Sequence, residues 1–206
     1  LSILRISYLT LFAFFVFIVI AATSGVNFPG DIAVSVWADK TQAPCLDFIL
    51  PLVTSLGDFP YYIFAGLLLG LAFWLAGKRT EALFIIAAPG IGAVISFFLK
   101  LFIDRPRPID DLLQNSFPSG HTVFTSTLMG MTIYFMPQII KNKKICVALQ
   151  ITAGLLILLV GLSRLYLQRH WLSDVLAGLT IGILIVIPVI ILYKCIRKEK
   201  TNARTA

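Results

Sequence analysis

The chain has 206 residues, of which 58% are hydrophobic and 13% charged, with a net charge of +7 and a mean hydropathy of +0.92. About a quarter of the residues of a soluble domain are charged, so this composition excludes an ordinary soluble fold and reads as an all-α polytopic membrane protein. Cys45, Cys146 and Cys195 lie far apart and in no metal-like spacing, so they read as small apolar fillers rather than a disulfide framework.

Six apolar runs, at about 5–24, 58–77, 81–99, 119–140, 145–163 and 171–193, predict a six-transmembrane-helix bundle. Residues 1–206 read as a single membrane-embedded domain. The first run ends in small residues, as signal-peptide cores do, but only Arg5 precedes it, so it is read as a retained span. Between the first two runs, "DIAVSVWADK" predicts a short amphipathic helix at the membrane interface with Trp37 at headgroup depth. The following "CLDFILPLVTSLGD" is broken by Pro51 and Gly57 and predicts a second interfacial helix rather than a seventh span. "GKRTE" at 77–81 and "KNKK" at 141–144 are tight polar connections.

Charge orients this bundle. Arg5, Lys78, Arg79, Lys141, Lys143, Lys144, Lys194, Arg197, Lys198, Lys200 and Arg204 fall on one side, with only Glu81 and Glu199 as acids. The other side has six basic and eight acidic residues. The lysine-rich side and both termini are expected in the cytoplasm of a plasma-membrane protein. The excess of positive charge is then an orientation signal, and no nucleic-acid partner is expected.

His121 and His170 both fall on the external side, within three ionic stretches. In "KLFIDRPRP" (100–108), Lys100 alone would be an ordinary interface anchor. Arg105 and Arg107, stiffened by Pro106 and Pro108, point instead to an anion site, because guanidinium forks match phosphate oxygens. In "FPSGH" (117–121), Ser119 is a candidate N-cap, and the first helical turn, from Gly120 on, would offer backbone N–H groups to an anion. His121 sits in that turn.

In "SRLYLQRHWLSD" (163–174), His170 and Asp174 are four apart and share a helix face. The carboxylate could hold one imidazole N–H and leave the other nitrogen as nucleophile or base. Ser163 and Arg164 could reach the same anion. Together the three stretches could bind a phosphate, attack its phosphorus and protonate its leaving group, which is phosphoryl transfer with no obvious metal.

The pattern K-x6-RP (Lys100 to Pro108), PSGH (Pro118 to His121) and SR-x5-H-x3-D (Ser163 to Asp174) resembles the type-2 phosphatidic acid phosphatase superfamily, in particular its bacterial phosphatidylglycerophosphatase B-like members. The motifs span residues 100–174, and the topology extends the likeness over nearly the whole chain. The resemblance implies metal-independent, cofactor-free catalysis through a phosphohistidine on His170, oriented by Asp174. His121 would protonate the leaving group, and Lys100, Arg107, Ser119, Gly120 and Arg164 would hold the phosphoryl oxygens. The chain departs from the family where Gln168 and Leu172 replace a frequent glycine and proline, so the approach to the sixth span is expected to differ in shape. Arg169 is an extra cation, suited to a second anionic group or to interface anchoring.

The expected partner is a membrane lipid phosphate, and the expected state a monomer with its active site facing outward. Phosphatidylglycerophosphate is the first candidate, followed by undecaprenyl diphosphate and phosphatidic acid. An anionic-lipid transporter or scramblase is the alternative from another class, but conduction needs no His–Asp pair and there is no visible inverted repeat. The histidines and Asp174 could also ligate a metal or haem, against which the crowd of cations weighs.

Overall fold

The computed structural model describes every residue except 1, 26, 56, 59, 110–114 and 206, and leaves undescribed the side chains of residue 2 and of 199–205. Asp110, Asp111 and the side chains of Glu199, Lys200 and Arg204, all of which enter the charge asymmetry, therefore lie outside the described residues. The described chain is helical throughout: α1 (Ser2–Thr23), α2 (Asp31–Lys40), α3 (Pro44–Ser55), α4 (Tyr61–Leu75), α5 (Arg79–Phe102), α6 (Gly120–Phe135), α7 (Lys143–Tyr166) and α8 (Leu172–Thr205). A single 3-10 turn, Met136–Gln138, follows α6.

Among the described residues, four helices are long and apolar enough to cross a bilayer: Ile3–Thr23, Arg79–Phe102, Lys143–Tyr166 and Leu172–Lys198. α4 and α6, with 15 and 16 residues, rise only roughly 22–24 Å. Both pack on the long helices, α4 against α5 and α6 against α5, α7 and α8. Lipid-facing surface is apolar, as at Phe64, Leu68, Phe97, Leu101 and Leu158, all of them exposed. This is an integral membrane protein, with an apolar exterior matched to hydrocarbon.

Helices α2 and α3 lie between α1 and α4, where the sequence predicts short helices. Pro51 does not end α3. It removes one backbone donor, while the helix is tethered from its first turn, where Tyr166 donates to Asp47 Oδ1 at 2.6 Å. α8 runs well past the predicted limit near residue 193, because the tail from Lys194 on is rich in helix formers.

Helix α6 lies at the centre of the packing. Thr122 and Ser126 on α6 oppose Gly178 and Gly182 on α8, a small-residue seam that lets two backbones approach closely. A Cβ at Gly178 would lie 2.8 Å from Thr122 Cβ and 2.9 Å from the Ser119 carbonyl oxygen. Ser126 Oγ donates across the seam to the Gly178 carbonyl at 3.3 Å. Below it a core of Phe73, Ile85, Leu128, Met131, Phe135 and Ile185 closes the bundle.

The two ends of the bundle differ chemically. At one, Tyr193 donates to Glu81 at 2.6 Å and accepts from Arg197 at 2.9 Å. The other end gathers Lys100, Arg105, Arg107, His121, Arg164 and His170.

Candidate active site

The α6–α8 seam carries the "PSGH" turn onto the start of α8. Ser119 N–H donates to the Asp174 carbonyl at 3.1 Å, so the two motifs share a backbone hydrogen bond. Ser119 is the N-cap residue of α6, but its side chain makes no capping bond; its hydroxyl accepts from Thr122 Oγ1 at 2.9 Å. The N–H groups of Gly120 and its successors in the first turn have no helical carbonyl behind them, as at any helix start. With the helix dipole, these donors could hold an anion.

His170 and Asp174 are both buried, and His170 Nδ1 lies 3.5 Å from Asp174 Oδ2. That contact is long for a hydrogen bond. It turns Nδ1 toward the carboxylate and leaves Nε2 as the other reactive nitrogen. Burial lowers the His170 imidazole from the ordinary 6.5 to about 4; Asp174 works against this, while Arg164 and Lys100 add to it. The free imidazole is therefore neutral at physiological pH, as a nucleophile must be.

Asp174 is held on every side. Its Oδ2 accepts from the Trp171 N–H at 2.9 Å, and its Oδ1 accepts from Arg105 Nη1 at 2.6 Å. Arg105 also donates to Asp31 Oδ2 at 2.6 Å and to Ser173 Oγ at 2.7 Å, and its guanidinium lies over the Trp171 ring. Asp31 in turn accepts from the Ser173 N–H at 2.8 Å, which caps the start of α8. Arg105 is thus tied to carboxylates and does not form the free anion fork that its sequence neighbourhood suggests.

The remaining predicted residues converge on the same end. Lys100, in the last turn of α5, donates to the Asn115 carbonyl at 2.8 Å. Arg107 is buried, and its charge acts on Lys100, His121 and Arg164. Arg164 is buried and donates from Nη1 to Thr54 Oγ1 at 3.0 Å, while its Nε has no hydrogen-bond partner. Ser163 does not join them: its hydroxyl donates back to the Val160 carbonyl at 2.7 Å.

His121 Nε2 lies 2.8 Å from Asp58 Oδ1, on the connection between α3 and α4. A cavity of about 280 Å³ opens beside it, lined by Lys100, Gly120, His121, Ser96, Phe97 and Phe124. Tyr62, Ala93 and Phe124 also line a second, apolar cavity between α4 and α5, which continues the opening along the membrane-facing flank.

Nothing in the sequence alone singles out Asp31, Thr54 or Asp58. Each lies far from the motif it serves, and none sits at a spacing that would reveal it. Gln168 is different. Its φ is +52°, the left-handed region that a glycine adopts freely. The glycine that the resemblance leads one to expect here would make this turn freely; Gln168 makes it instead, with its side chain accepting from Ser35 Oγ at 3.3 Å.

Residues 80–199 match the PAP2 superfamily model. The chain belongs to the PAP2 superfamily. It is 29% identical over 184 residues to phosphatidylglycerophosphatase B of Bacillus subtilis, covering 85% of this chain and 89% of that protein. It is 32% identical over 152 residues to undecaprenyl-diphosphatase BcrC of the same organism, covering 68% and 71%. The crystal structure of a transmembrane PAP2-type phosphatidylglycerolphosphate phosphatase from Bacillus subtilis superposes with a TM-score of 0.81 at 26% identity, over 92% of this chain and 96% of that one. This PAP2 protein is accordingly an enzyme, a membrane lipid phosphatase, and the transporter alternative gives way.

Proposed function

We propose that this PAP2 enzyme hydrolyses phosphatidylglycerophosphate to phosphatidylglycerol and inorganic phosphate, through a phosphohistidine and without a metal. The observation that carries the reading is the Ser119–Asp174 backbone bond, which brings the His121 turn against the His170–Asp174 pair. His170 Nε2 attacks phosphorus, forming an N–P bond as the P–O bond to the lipid breaks. His121 gives its proton to the departing oxygen. Water then attacks phosphorus, the N–P bond breaks, and His121 recovers a proton from that water.

Asp174 keeps the imidazole oriented and stabilises the positive charge that develops on it. Lys100, Arg107, Arg164, Ser119 and the Gly120 N–H hold the phosphoryl oxygens, where preorganised donors stabilise the transition state. The choice of substrate rests on the relative matched over most of both chains. Undecaprenyl diphosphate is the second reading, favoured by the 32% identity to undecaprenyl-diphosphatase BcrC.

The same reading has the whole chain act as one monomeric unit of six spans, with α4 and α6 as the short ones. Both termini are cytoplasmic and the site faces outward, so the phosphate stays in water while the tails stay in lipid. The deciding experiment is phosphate release in detergent with EDTA from phosphatidylglycerophosphate, undecaprenyl diphosphate and phosphatidic acid, with His170→Ala alongside. Release highest on phosphatidylglycerophosphate and absent in the variant is expected. Equal release by the variant would overturn the mechanism, and a different first-ranked lipid would overturn the substrate.

A further inference from the structure

The residue beside His121 is not in any of the three motifs and precedes the family match. Asp58 sits on the α3–α4 connection with its Oδ1 2.8 Å from His121 Nε2, and its side chain is 49% exposed. The connection is seated on the imidazole: a Cβ at Gly57 would lie 2.9 Å from His121 Cγ. Only glycine lets the backbone come this close, so Asp58 is delivered to the Nε2 edge of the imidazole.

The charges around the site are divided. Lys100, Arg107 and Arg164, with the start of α6, supply positive potential for the phosphoryl group. Arg164 and Arg107 also face His121, and Asp58 is the carboxylate among its charged neighbours. A leaving oxygen that takes its proton from His121 Nε2 shares that nitrogen with Asp58 and so lies within a few ångströms of the carboxylate. The chemistry attached to the oxygen then decides the sign of the interaction. An alcohol with a neighbouring hydroxyl, such as the glycerol of a glycerophosphate headgroup, can donate a hydrogen bond to Asp58. A leaving phosphate, as in a diphosphate lipid, brings a like charge against it.

We propose that Asp58 is a specificity-determining residue that selects hydroxylated alcohol leaving groups over phosphate leaving groups. This rests on the lipid phosphatase reading above and assigns the discrimination to one side chain outside the motif set.

The test is a ratio, so the amount of folded enzyme cancels. kcat/KM is measured for phosphatidylglycerophosphate and for undecaprenyl diphosphate in the same micelles, for the wild type, Asp58→Asn and Asp58→Ser. In both variants the ratio is expected to fall by about tenfold or more in favour of the diphosphate, the scale of removing one nearby charge from a partly exposed site. An unchanged ratio, including an equal loss on both lipids, would make Asp58 merely a holder of His121 and overturn the proposal while leaving the phosphatase reading intact. Release by the wild type from neither lipid would overturn both.

Discussion

Arg105 Nη1 lies 2.6 Å from Asp174 Oδ1, and the other arm of the same guanidinium lies 2.6 Å from Asp31 Oδ2. Both carboxylates are fully buried, so Arg105 is the counter-charge that allows two acids to remain in the interior beside His170. Removing one member of a buried charge network leaves the others unpaired, at a cost of about 3–5 kcal/mol.

Arg105→Gln should therefore lower thermal stability strongly and reduce kcat by at least about tenfold in the protein that remains folded, since Asp174 is no longer fixed. Arg105→Lys should recover part of the stability but little of kcat, because an ammonium cannot bridge two carboxylates in a fixed fork. Melting temperature and kcat of the two variants check this. Full recovery by lysine would show that charge alone is what Arg105 supplies.

The His170 imidazole, lowered by burial to about 4, makes acid stability predictable. A histidine in the unfolded chain titrates near 6.5, so between these values the unfolded state binds more protons than the folded one. Stability from this group is fully present above pH 6.5 and is lost as pH falls through about 4. His170→Gln cannot titrate. The stability of the wild type relative to this variant should decline as pH is lowered from 6.5 to 4, as followed by melting temperature across that range. A difference that stays constant with pH would contradict the burial argument.

If His121 protonates the leaving oxygen, its importance should scale with how badly that oxygen needs a proton. His121→Gln should lose about 10²- to 10⁴-fold in kcat on a lipid alkoxide leaving group. On p-nitrophenyl phosphate, whose phenolate leaves unaided, the loss should be far smaller. Comparing the two substrates in steady state distinguishes an acid from a residue that only binds phosphate, which would show equal losses.

Gln168, at φ +52°, holds a conformation that favours glycine by about 1–2 kcal/mol. Gln168→Gly should keep kcat within about twofold and leave the melting temperature unchanged or higher, because relief of strain offsets the lost Ser35 contact and the extra freedom of the unfolded chain. A collapse of activity would mean that the glutamine side chain, rather than the turn, is what this position contributes.

Much of this protein was legible in the chain itself. Apolar runs interrupted by short polar turns dictate membrane helices, because a backbone in hydrocarbon must satisfy its hydrogen bonds internally. Lys100, Arg107, Ser119, Gly120, His121, Arg164, His170 and Asp174 could be picked out because ionic residues are conspicuous against a greasy background, and because i,i+4 spacing and helix starts are local features. Only the tertiary structure decided what stands behind them. Asp31, Thr54 and Asp58 come from α2, α3 and the connection after α3, 74 to 143 positions from Arg105, Arg164 and Asp174 or 63 from His121 in the chain. Arg105 reads as an anion-binding residue beside Arg107, and becomes a clamp between carboxylates because α2 folds against α8. Such pairings depend on which helix faces pack together, and the close Gly178–Thr122 approach that sets the α6–α8 register is a property of two surfaces rather than of either stretch alone.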